Sequence, residues 1–467
     1  MDQIKRKENR DMGRTILSLA WPTMLEQLSQ STVQYIDTAM VGALGTQATA
    51  AVGSTTTVNW LIFSTIASFS VGFLSFIARA YGANDRSIAK RAVSQAVLVV
   101  LFVGIIFTFL TLALSGKIPV WMQVDQNIQK LASIYFFILY LPMLPRTASV
   151  IFGTVLRATG DTKTPMKISL ITNALNIILN FLLIYQPRTI SVFTFNLTIP
   201  GAGLGVVGAA LASAVAFTVG GIWITAALWH HPAVSPRGQS LTIDMGILRT
   251  CMKISLPNML QRFGTSLGYV LFASMINSLG EISTAAHTIA NTVESAFYIP
   301  GYGMQTAAAT LAGNAYGARD NEHMINLVKI MIPIEIALMI GSGTILFTTA
   351  PWLMRLFSSD VVVISLGVTV LRMVAVSEPF YGFSIIIEGL LMGVGKTKLP
   401  FIFNIIGMWC VRIVGTFICT QVLNMQLVSA WACMIAHNLL LFVLFFIVYT
   451  KGIWNPLNKE NTTQRTD

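Results

Sequence analysis

Charged side chains are scarce in this chain of 467 residues. Asp, Glu, Lys and Arg together make up 10% of it, whereas a soluble globular domain carries about 25%. Hydrophobic residues make up 54%, and the mean hydropathy is +0.69. This composition excludes an ordinary soluble protein and predicts a membrane protein with many spanning segments.

Cysteines and long polar loops are also scarce, and each shortage excludes a class of function. The four cysteines (Cys251, Cys410, Cys419, Cys433) have no CxxC spacing and no neighbouring histidine or acidic cluster. They therefore predict buried, unreactive thiols rather than a disulfide framework or a zinc site. Gly395-Lys396-Thr397 resembles the end of a phosphate-binding loop, but Leu390 stands where that motif requires glycine. Because no loop is long enough for a nucleotide-binding domain either, we expect neither an ATP-driven pump nor an enzyme, and no organic cofactor.

Twelve segments are long and apolar enough to cross a bilayer as helices, for which about 20 mostly apolar residues are needed. Prolines inside several of them predict kinks, at positions 142, 145, 300, 333 and 379. Helices 1 to 12 are predicted at residues 16–41, 50–77, 92–114, 131–156, 166–185, 204–229, 254–277, 284–312, 325–349, 361–392, 400–420 and 427–449.

Basic residues are distributed unequally between the two sides of this predicted bundle. Of the 30 Lys and Arg residues, 22 lie in the two terminal tails and in the loops after helices 2, 4, 6, 8 and 10, when Lys167 and Lys329 at the adjoining ends of helices 5 and 9 are included, and four lie on the other side. The positive-inside rule then places both termini in the cytoplasm. The net charge of +11 is thus a topology signal, and we expect no nucleic-acid partner. The predicted parts are a cytoplasmic tail at 1–15, an N-lobe at 16–229, a cytoplasmic linker at 230–253, a C-lobe at 254–449 and a cytoplasmic tail at 450–467.

The two halves of the chain repeat each other at a constant offset of 235 residues. Ala80-Tyr81-Gly82-Ala83 recurs as Ala315-Tyr316-Gly317-Ala318, and Leu44-Gly45 recurs as Leu279-Gly280. Six helices per half bring both halves into the membrane from the same side, which makes a parallel repeat of the kind found in secondary transporters. We therefore predict an all-α membrane protein with two six-helix lobes around a central cavity. Channels and lipid scramblases are the alternatives for such a duplicated chain.

Six acidic side chains fall inside the predicted helices, where a charge costs about 2.5–3.5 kcal/mol at the helix centre and is a functional candidate. Glu26 and Asp37 share one face of helix 1. Helix 5 presents amides at Asn173, Asn176 and Asn180, and carboxylate and amide oxygens together can hold a proton or Na⁺. The alternative for the amides is hydrogen bonding between helices. Glu335 is the weakest candidate among the acids, and Glu378 can form an ion pair with Arg372 or Arg412. The acids other than Glu26 and Asp37 are Glu294, Glu335, Glu378 and Glu388.

Four motifs together resemble the MATE family (multidrug and toxic compound extrusion), and the resemblance covers nearly the whole chain. They are Tyr35-Ile36-Asp37-Thr38-Ala39-Met40-Val41-Gly42, Ala78-Arg79-Ala80-Tyr81-Gly82-Ala83, Arg157-Ala158-Thr159-Gly160-Asp161-Thr162 and Ala285-Ala286-His287. The resemblance implies export of bulky organic cations by alternating access, in exchange for H⁺ or Na⁺.

The resemblance also implies an ion-coupling site in the N-lobe. Carried over by position, this site consists of Asp37, Asn176, Asn180 and Ser213, with Na⁺ as the metal ion it would hold. The acids of a C-lobe site in NorM-type members are replaced here by Thr265 and Tyr381, so that site is expected to be absent. Glu294 resembles a helix 8 glutamate of other bacterial members. The candidates for the substrate cavity are Glu26, Glu294, Glu378, Tyr381 and Glu388.

Two other functions fit parts of this pattern. A lipid-linked precursor flippase of a related fold predicts a strongly cationic cavity, whereas these helices contain six acids and four arginines. A channel or sensor is disfavoured because there is no filter-like loop and no soluble domain. We therefore predict a plasma-membrane antiporter for organic cations that binds no nucleotide. The coupling ion and the oligomeric state stay open.

Overall fold

The structure, a computed structural model, describes residues 2–122, 124–192 and 195–458. Each of the twelve predicted segments lies on one helix or on one interrupted helix. Helices 1 to 6 are Asp2–Gly42, Thr46–Gly82, Arg86–Leu114, Gln126–Tyr140 with Met143–Ala158, Lys163–Leu183 and Gly205–His230. Helices 7 to 12 are Met245–Asn277, Glu281–Phe297 with Ile299–Gly317, Asn321–Phe357, Val361–Gly393, Lys398–Val422 and Leu427–Thr450. A short helix, Ile118–Trp121, precedes helix 4, and a hairpin of β1 (Arg188–Val192) and β2 (Phe195–Ile199) joins helices 5 and 6.

The all-α fold is confirmed, and the hairpin is the only β structure in the described ranges. By length and composition eight helices can cross a membrane, and the bent helix 4 makes nine. Helices 1, 7 and 8 are not among these nine candidate spans. Together with them the structure has the twelve helices that the sequence predicts. The residues at 2–15, predicted as a tail, continue helix 1 toward its N-terminus, and the last nine residues of the predicted C-terminal tail lie outside the described part.

Two of the interruptions coincide with prolines. The two segments of helix 4 meet at 50°, and Pro142 stands between them with φ −88° and ψ 41°. Helix 8 is interrupted at Tyr298, and Pro300 lies in the first turn of its second segment. Proline lacks the donor that would continue the hydrogen-bond ladder, so the predicted break in helix 4 is confirmed. Helix 11 departs from α geometry differently, through π-helical segments at Gly407–Ile413 and Ile418–Val422.

The internal repeat is visible in the backbone conformation. Residues with positive φ occur between helices at the same offset of 235 in both halves. They are Gly45 and Gly280 (φ 111° and 101°), Asn84 and Arg319 (56° and 55°), and Gly160 and Gly395 (89° and 81°). Glycine adopts these angles without a Cβ clash, which explains why two of the three turns carry glycine in both copies. The sequence repeat is therefore a repeat of turn geometry.

The chain divides into two compact units. The N-unit comprises Leu25–Phe73 and Arg86–Leu248, and the C-unit comprises Met1–Met24, Leu74–Asp85 and Arg249–Asp467. Within the N-unit helix 6 packs on helices 4 and 5, and helix 3 packs on helix 4. Within the C-unit helix 12 packs on helices 10 and 11, and helix 9 packs on helix 10. The same pairs of equivalent helices thus form the core of each unit.

The duplicated Ala-Tyr-Gly-Ala motif packs against its own copy inside the C-unit. A Cβ added to Gly82 would lie 2.0 Å from the carbonyl oxygen of Asn314, and one added to Gly317 would lie 1.9 Å from that of Arg79. Arg79 and Asn314 are themselves 235 residues apart. Equivalent residues of the two repeats therefore meet each other, and glycine is required because the two helix backbones touch directly.

Candidate functional site

A continuous hydrogen-bonded chain of polar side chains crosses helices 1, 5 and 6 of the N-unit. The Nδ2 atom of Asn180 donates to Asp37 Oδ1 at 2.5 Å and lies 3.2 Å from Asn176 Oδ1. Asn176 Nδ2 in turn donates to Ser213 Oγ at 3.2 Å. The structure thus joins all four residues predicted for the N-lobe ion site. The two asparagines are one helical turn apart, so both face helix 1 and helix 6 from the same side of helix 5.

The hydrogen-bonded series from Asp37 to Ser213 leaves side-chain oxygen atoms available to a small cation. Asn180 is 1% exposed, and its Oδ1 has no hydrogen-bond partner among the described residues. Beside it lies the carboxyl group of Asp37, which is only half-buried. An amide oxygen without a donor next to a carboxylate is an arrangement that hard cations and protons satisfy well.

Asn173, the third amide of helix 5, belongs to a separate contact. Its Nδ2 donates to Ser29 Oγ on helix 1 at 2.8 Å, one turn away from the chain that includes Asp37. For this residue the interhelical hydrogen bond, the alternative weighed from the sequence, is the role observed.

Glu26 is held in an ion pair. Both of its carboxyl oxygens lie 2.7 Å from Nη2 of Arg157 in the last turn of helix 4. The two side chains are 9% and 16% exposed. The negative charge of Glu26 is therefore already balanced by a neighbouring guanidinium, unlike that of Asp37.

The C-unit holds a second group of acids together with tyrosines. Glu294 accepts a hydrogen bond from the hydroxyl of Tyr298 at the interruption of helix 8. The ring of Tyr298 packs edge-on against that of Tyr381, with centroids 5.1 Å apart. Tyr381 is hydrogen-bonded to Tyr302. Two of the predicted cavity residues, Glu294 and Tyr381, are thus connected through Tyr298, which the sequence analysis did not identify.

Two further carboxyls of the C-unit are buried without donors. Glu378 on helix 10 is 1% exposed and Glu335 on helix 9 is 0% exposed. Neither has a hydrogen-bond partner for either oxygen within the described ranges. Glu378 interacts electrostatically with both Glu294 and Glu335. Carboxylates in such surroundings are stable only with a proton or a cation as partner.

Glu335, the weakest candidate from the sequence, is as deeply buried as Glu378. Its equivalent in the first half is Val100, so it lacks a counterpart in the same way as the acids that were chosen, and that comparison could have selected it. No ion pair of Glu378 with Arg372 or Arg412 occurs in the part of the chain that the structure describes.

Glu388 occupies a different environment on helix 10. It accepts a hydrogen bond of 2.7 Å from Gln261 Nε2 on helix 7 and interacts with Arg262 electrostatically. Gln261 and Glu26 are equivalent in the repeat. The same helix pair is therefore linked in both units, by an ion pair in the N-unit and by an amide and a carboxyl in the C-unit.

Arg412 on helix 11 is a buried cation stabilised by aromatic rings. Its guanidinium carbon lies 4.2 Å from the ring centroid of Phe272 and 4.8 Å from that of Tyr269. It interacts electrostatically with Glu294 and with His437. The sequence named Arg412 only as a partner for Glu378, because aromatic contacts between distant helices leave no local pattern.

The described residues contain no group of three or more His, Cys, Asp or Glu side chains that could hold a metal ion. The prediction of four buried cysteines is wrong for three of them: Cys251 is buried, Cys419 and Cys433 are partly exposed, and Cys410 is exposed. Composition predicted burial, but helices 11 and 12 present these positions at their surface.

Comparison with known proteins agrees with this architecture. The chain is 26% identical over 451 residues to "Probable multidrug resistance protein NorM" of Thermotoga maritima, covering 97% of this chain and 95% of the relative. It is 22% identical to "Probable multidrug resistance protein YoeA" of Bacillus subtilis, with 91% of each chain covered.

Among solved structures, one described as "Outward-facing conformation of a multidrug resistance MATE family transporter of the MOP superfamily" matches with a TM-score of 0.86. Its sequence identity is 23%, and the match covers 96% of this chain and 97% of that one. A MOP superfamily transporter from Pyrococcus furiosus, described as having a binding pocket of reverse polarity, matches with a TM-score of 0.85 and 22% identity over similar shares of both chains.

The MatE family model matches residues 22–182 and 257–418, which are equivalent parts of the two repeats. The matched ranges together cover more than half of the chain and include Asp37, Asn176 and Asn180 as well as the acidic group of the C-unit, whereas Ser213 lies between them. This protein therefore belongs to the MatE family of membrane transporters and is not an enzyme.

Proposed function

We propose that this protein exports organic cations from the cytoplasm across the plasma membrane in exchange for H⁺ or Na⁺. The observation that carries the proposal is the hydrogen-bonded series Asp37–Asn180–Asn176–Ser213. In it a half-buried carboxyl lies beside an amide oxygen that has no donor among the residues the structure describes. The names of the relatives, which are probable multidrug resistance proteins, support the substrate class.

The exchange follows from competition for negative charge. Asp37 binds a proton or Na⁺ arriving from outside, with Asn180 and Asn176 supplying amide oxygens. Ion binding changes the hydrogen bonds between helices 1 and 5, because Asn180 now donates to Asp37. An ion can shift the transporter between its two access states only by binding them with different affinity, and this contact gives that difference a structural basis.

The acids and tyrosines of the C-unit supply a candidate binding surface for the substrate. Tyrosine faces attract organic cations by about 0.5–2 kcal/mol each, and Glu294 and Glu378 add negative charge. Glu26 and Glu388 contribute less to this surface, since Arg157 and Gln261 already hold their carboxyl groups.

The test is ethidium uptake into everted membrane vesicles, whose cytoplasmic face is outside, under an imposed proton gradient or an imposed Na⁺ gradient. Wild type is compared with Asp37→Asn, which keeps the shape of the side chain and one acceptor oxygen and removes the charge. Asn173→Ser is the matched control, because it alters another amide on the same helix outside the Asp37 chain. We expect gradient-driven transport to be lost in Asp37→Asn and kept in Asn173→Ser.

The gradient that drives wild-type transport identifies the coupling ion. Unchanged transport in Asp37→Asn would overturn the assignment of coupling to the N-unit and direct the test to Glu294 and Glu378. No ethidium transport by wild type under either gradient would overturn the antiport proposal itself. Flipping of lipid-linked precursors would then be measured.

We also propose that both termini face the cytoplasm, on the basis of the basic loops after the even-numbered helices. Fusions of green fluorescent protein and of alkaline phosphatase to the C-terminus test this orientation. Fluorescence without phosphatase activity is the expected pair of results, and the reverse pair would invert the topology.

A further inference from the structure

Two cysteines face each other across helices 11 and 12. The Sγ atoms of Cys419 and Cys433 lie 3.9 Å apart, which is contact distance for two sulfur atoms. Both side chains are partly exposed. They line one open pocket together with Met425, Gln426 and Ser429 from the connecting loop and the first turn of helix 12. The pair is therefore adjacent and accessible from the end of the helix hairpin.

The packing around the pair explains how the two thiols come together. Gly415 lies one turn before Cys419 on helix 11, and a Cβ added there would be 3.1 Å from Cys433 Sγ. The missing side chain lets Cys433 rest against helix 11. Cys419 itself belongs to the π-helical segment Ile418–Val422, a wider turn that is uncommon and is frequently found at functional sites.

The predicted topology places this hairpin end on the outer side of the membrane. With a cytoplasmic N-terminus, the loop after helix 11 is outside, and Cys419 lies within the last turn of that helix. Outside the cytoplasm thiol pairs form and keep disulfides, whereas cytoplasmic thiols are held reduced. Compartment and geometry thus favour the same chemistry.

We propose that Cys419 and Cys433 form a disulfide that links the outer ends of helices 11 and 12. The oxidant is a low-molecular-weight disulfide. One cysteine thiolate attacks it, forming a mixed disulfide and releasing one thiol. The second cysteine thiolate then attacks the protein-bound sulfur and releases the second thiol, so that two electrons pass to the oxidant and the two cysteine protons are lost. The sulfur atoms must approach from 3.9 Å to about 2.05 Å, within reach of side-chain rotation.

The cross-link acts inside the C-unit. It joins the end of helix 11, the loop and the first turns of helix 12 into one closed segment, which restrains the π-helical turn that contains Cys419. Since it connects no residue of the Asp37 chain and none of the acids of the C-unit, we expect it to raise thermal stability and to leave ethidium transport unchanged.

The experiment counts free thiols in the full-length protein. Intact cells and everted vesicles are first reduced with dithiothreitol and washed, then treated separately with oxidised glutathione, denatured, and alkylated with N-ethylmaleimide before and after a second reduction. Of the four cysteines, we expect two to become alkylatable only after reduction, and peptide mass spectrometry should identify them as Cys419 and Cys433. This result is expected in intact cells, where the oxidant reaches the outer face. In everted vesicles the oxidant reaches only the cytoplasmic face, so Cys419 and Cys433 should stay alkylatable there without reduction.

The chain supplies its own controls. Cys410 lies near the middle of the span Lys398–Val422, where a polar oxidant does not reach it, so it should stay alkylatable without reduction. In Cys419→Ser the remaining Cys433 can form only a mixed disulfide with glutathione, which shows that the oxidant reached the pair. The variants Cys419→Ser and Cys433→Ser should each lose the linked pair, and their ethidium transport should equal that of wild type. The proposal is overturned when Cys433 of Cys419→Ser takes up glutathione while both thiols of the wild type stay alkylatable without reduction. Oxidation in everted vesicles but not in intact cells would also overturn it, by placing the pair on the cytoplasmic side.

Discussion

The self-contact of the Ala-Tyr-Gly-Ala motif leads to a prediction about two glycines. In Gly82→Ala the new Cβ would lie 2.0 Å from the Asn314 carbonyl oxygen, about 1.4 Å short of the 3.4 Å at which ordinary contact begins. In Gly317→Ala the distance to the Arg79 carbonyl oxygen is 1.9 Å. Overpacking of a tight interior costs about 1–3 kcal/mol. Because the atom encountered is backbone, which cannot rotate away, we expect about 3 kcal/mol or more for each substitution.

The assay is thermal unfolding of the purified protein in detergent. Gly53→Ala on helix 2 and Gly341→Ala on helix 9 are matched controls, since nothing lies within 4 Å of a Cβ at either position. Replacing a helical glycine by alanine without a clash stabilises by about 1 kcal/mol, so the controls should melt at or above the wild-type temperature. The reasoning is refuted when Gly82→Ala melts together with the controls.

Three other substitutions test the buried charges and a helix end by the same unfolding measurement. Glu26→Gln breaks the ion pair with Arg157 and should lower the free energy of unfolding by about 3–5 kcal/mol. Adding Arg157→Met should recover most of that loss, and a double variant as unstable as Glu26→Gln would contradict the pairing. Arg412→Lys removes the planar group that stacks on two rings and should cost about 1–2 kcal/mol, an expectation that a melting temperature equal to wild type would disprove. Asp360→Ala removes the carboxyl group that accepts hydrogen bonds from the first amides of helix 10 and should lower the free energy of unfolding by about 1 kcal/mol. Asp360→Asn should retain most of this N-cap, and equal losses of stability in both variants would reject capping as the cause.

The path of the helices was predictable because hydrophobicity along a chain is a local property. A span is recognised by its own apolar residues, and all twelve segments lie on helices of the structure. The boundaries were less certain. Helix 1 extends back to Asp2 through a polar stretch, since a helix outside the membrane needs no apolar run.

The N-unit site was predicted more completely than the C-unit site. Asp37, Asn176 and Asn180 share signals that sequence shows directly, namely an acid inside a span and amides one turn apart. The partners of Glu26 and Glu294 come from contacts that sequence spacing does not encode. Arg157 was counted with a cytoplasmic loop, although it reaches Glu26 from the last turn of helix 4.

The sequence by itself determined the membrane location, the twelve helices, the parallel repeat and the resemblance to one family. Each of these depends on residues close together in the chain or on a constant offset between two copies. Tertiary structure alone decided which buried charges are paired, as Glu26 is, and which have no donor within the described part of the chain, as is the case for Glu335 and Glu378. It also brought Cys419 and Cys433 into contact. The physical reason is that burial and pairing depend on atoms from separate helices, whose approach is set by packing rather than by spacing along the chain.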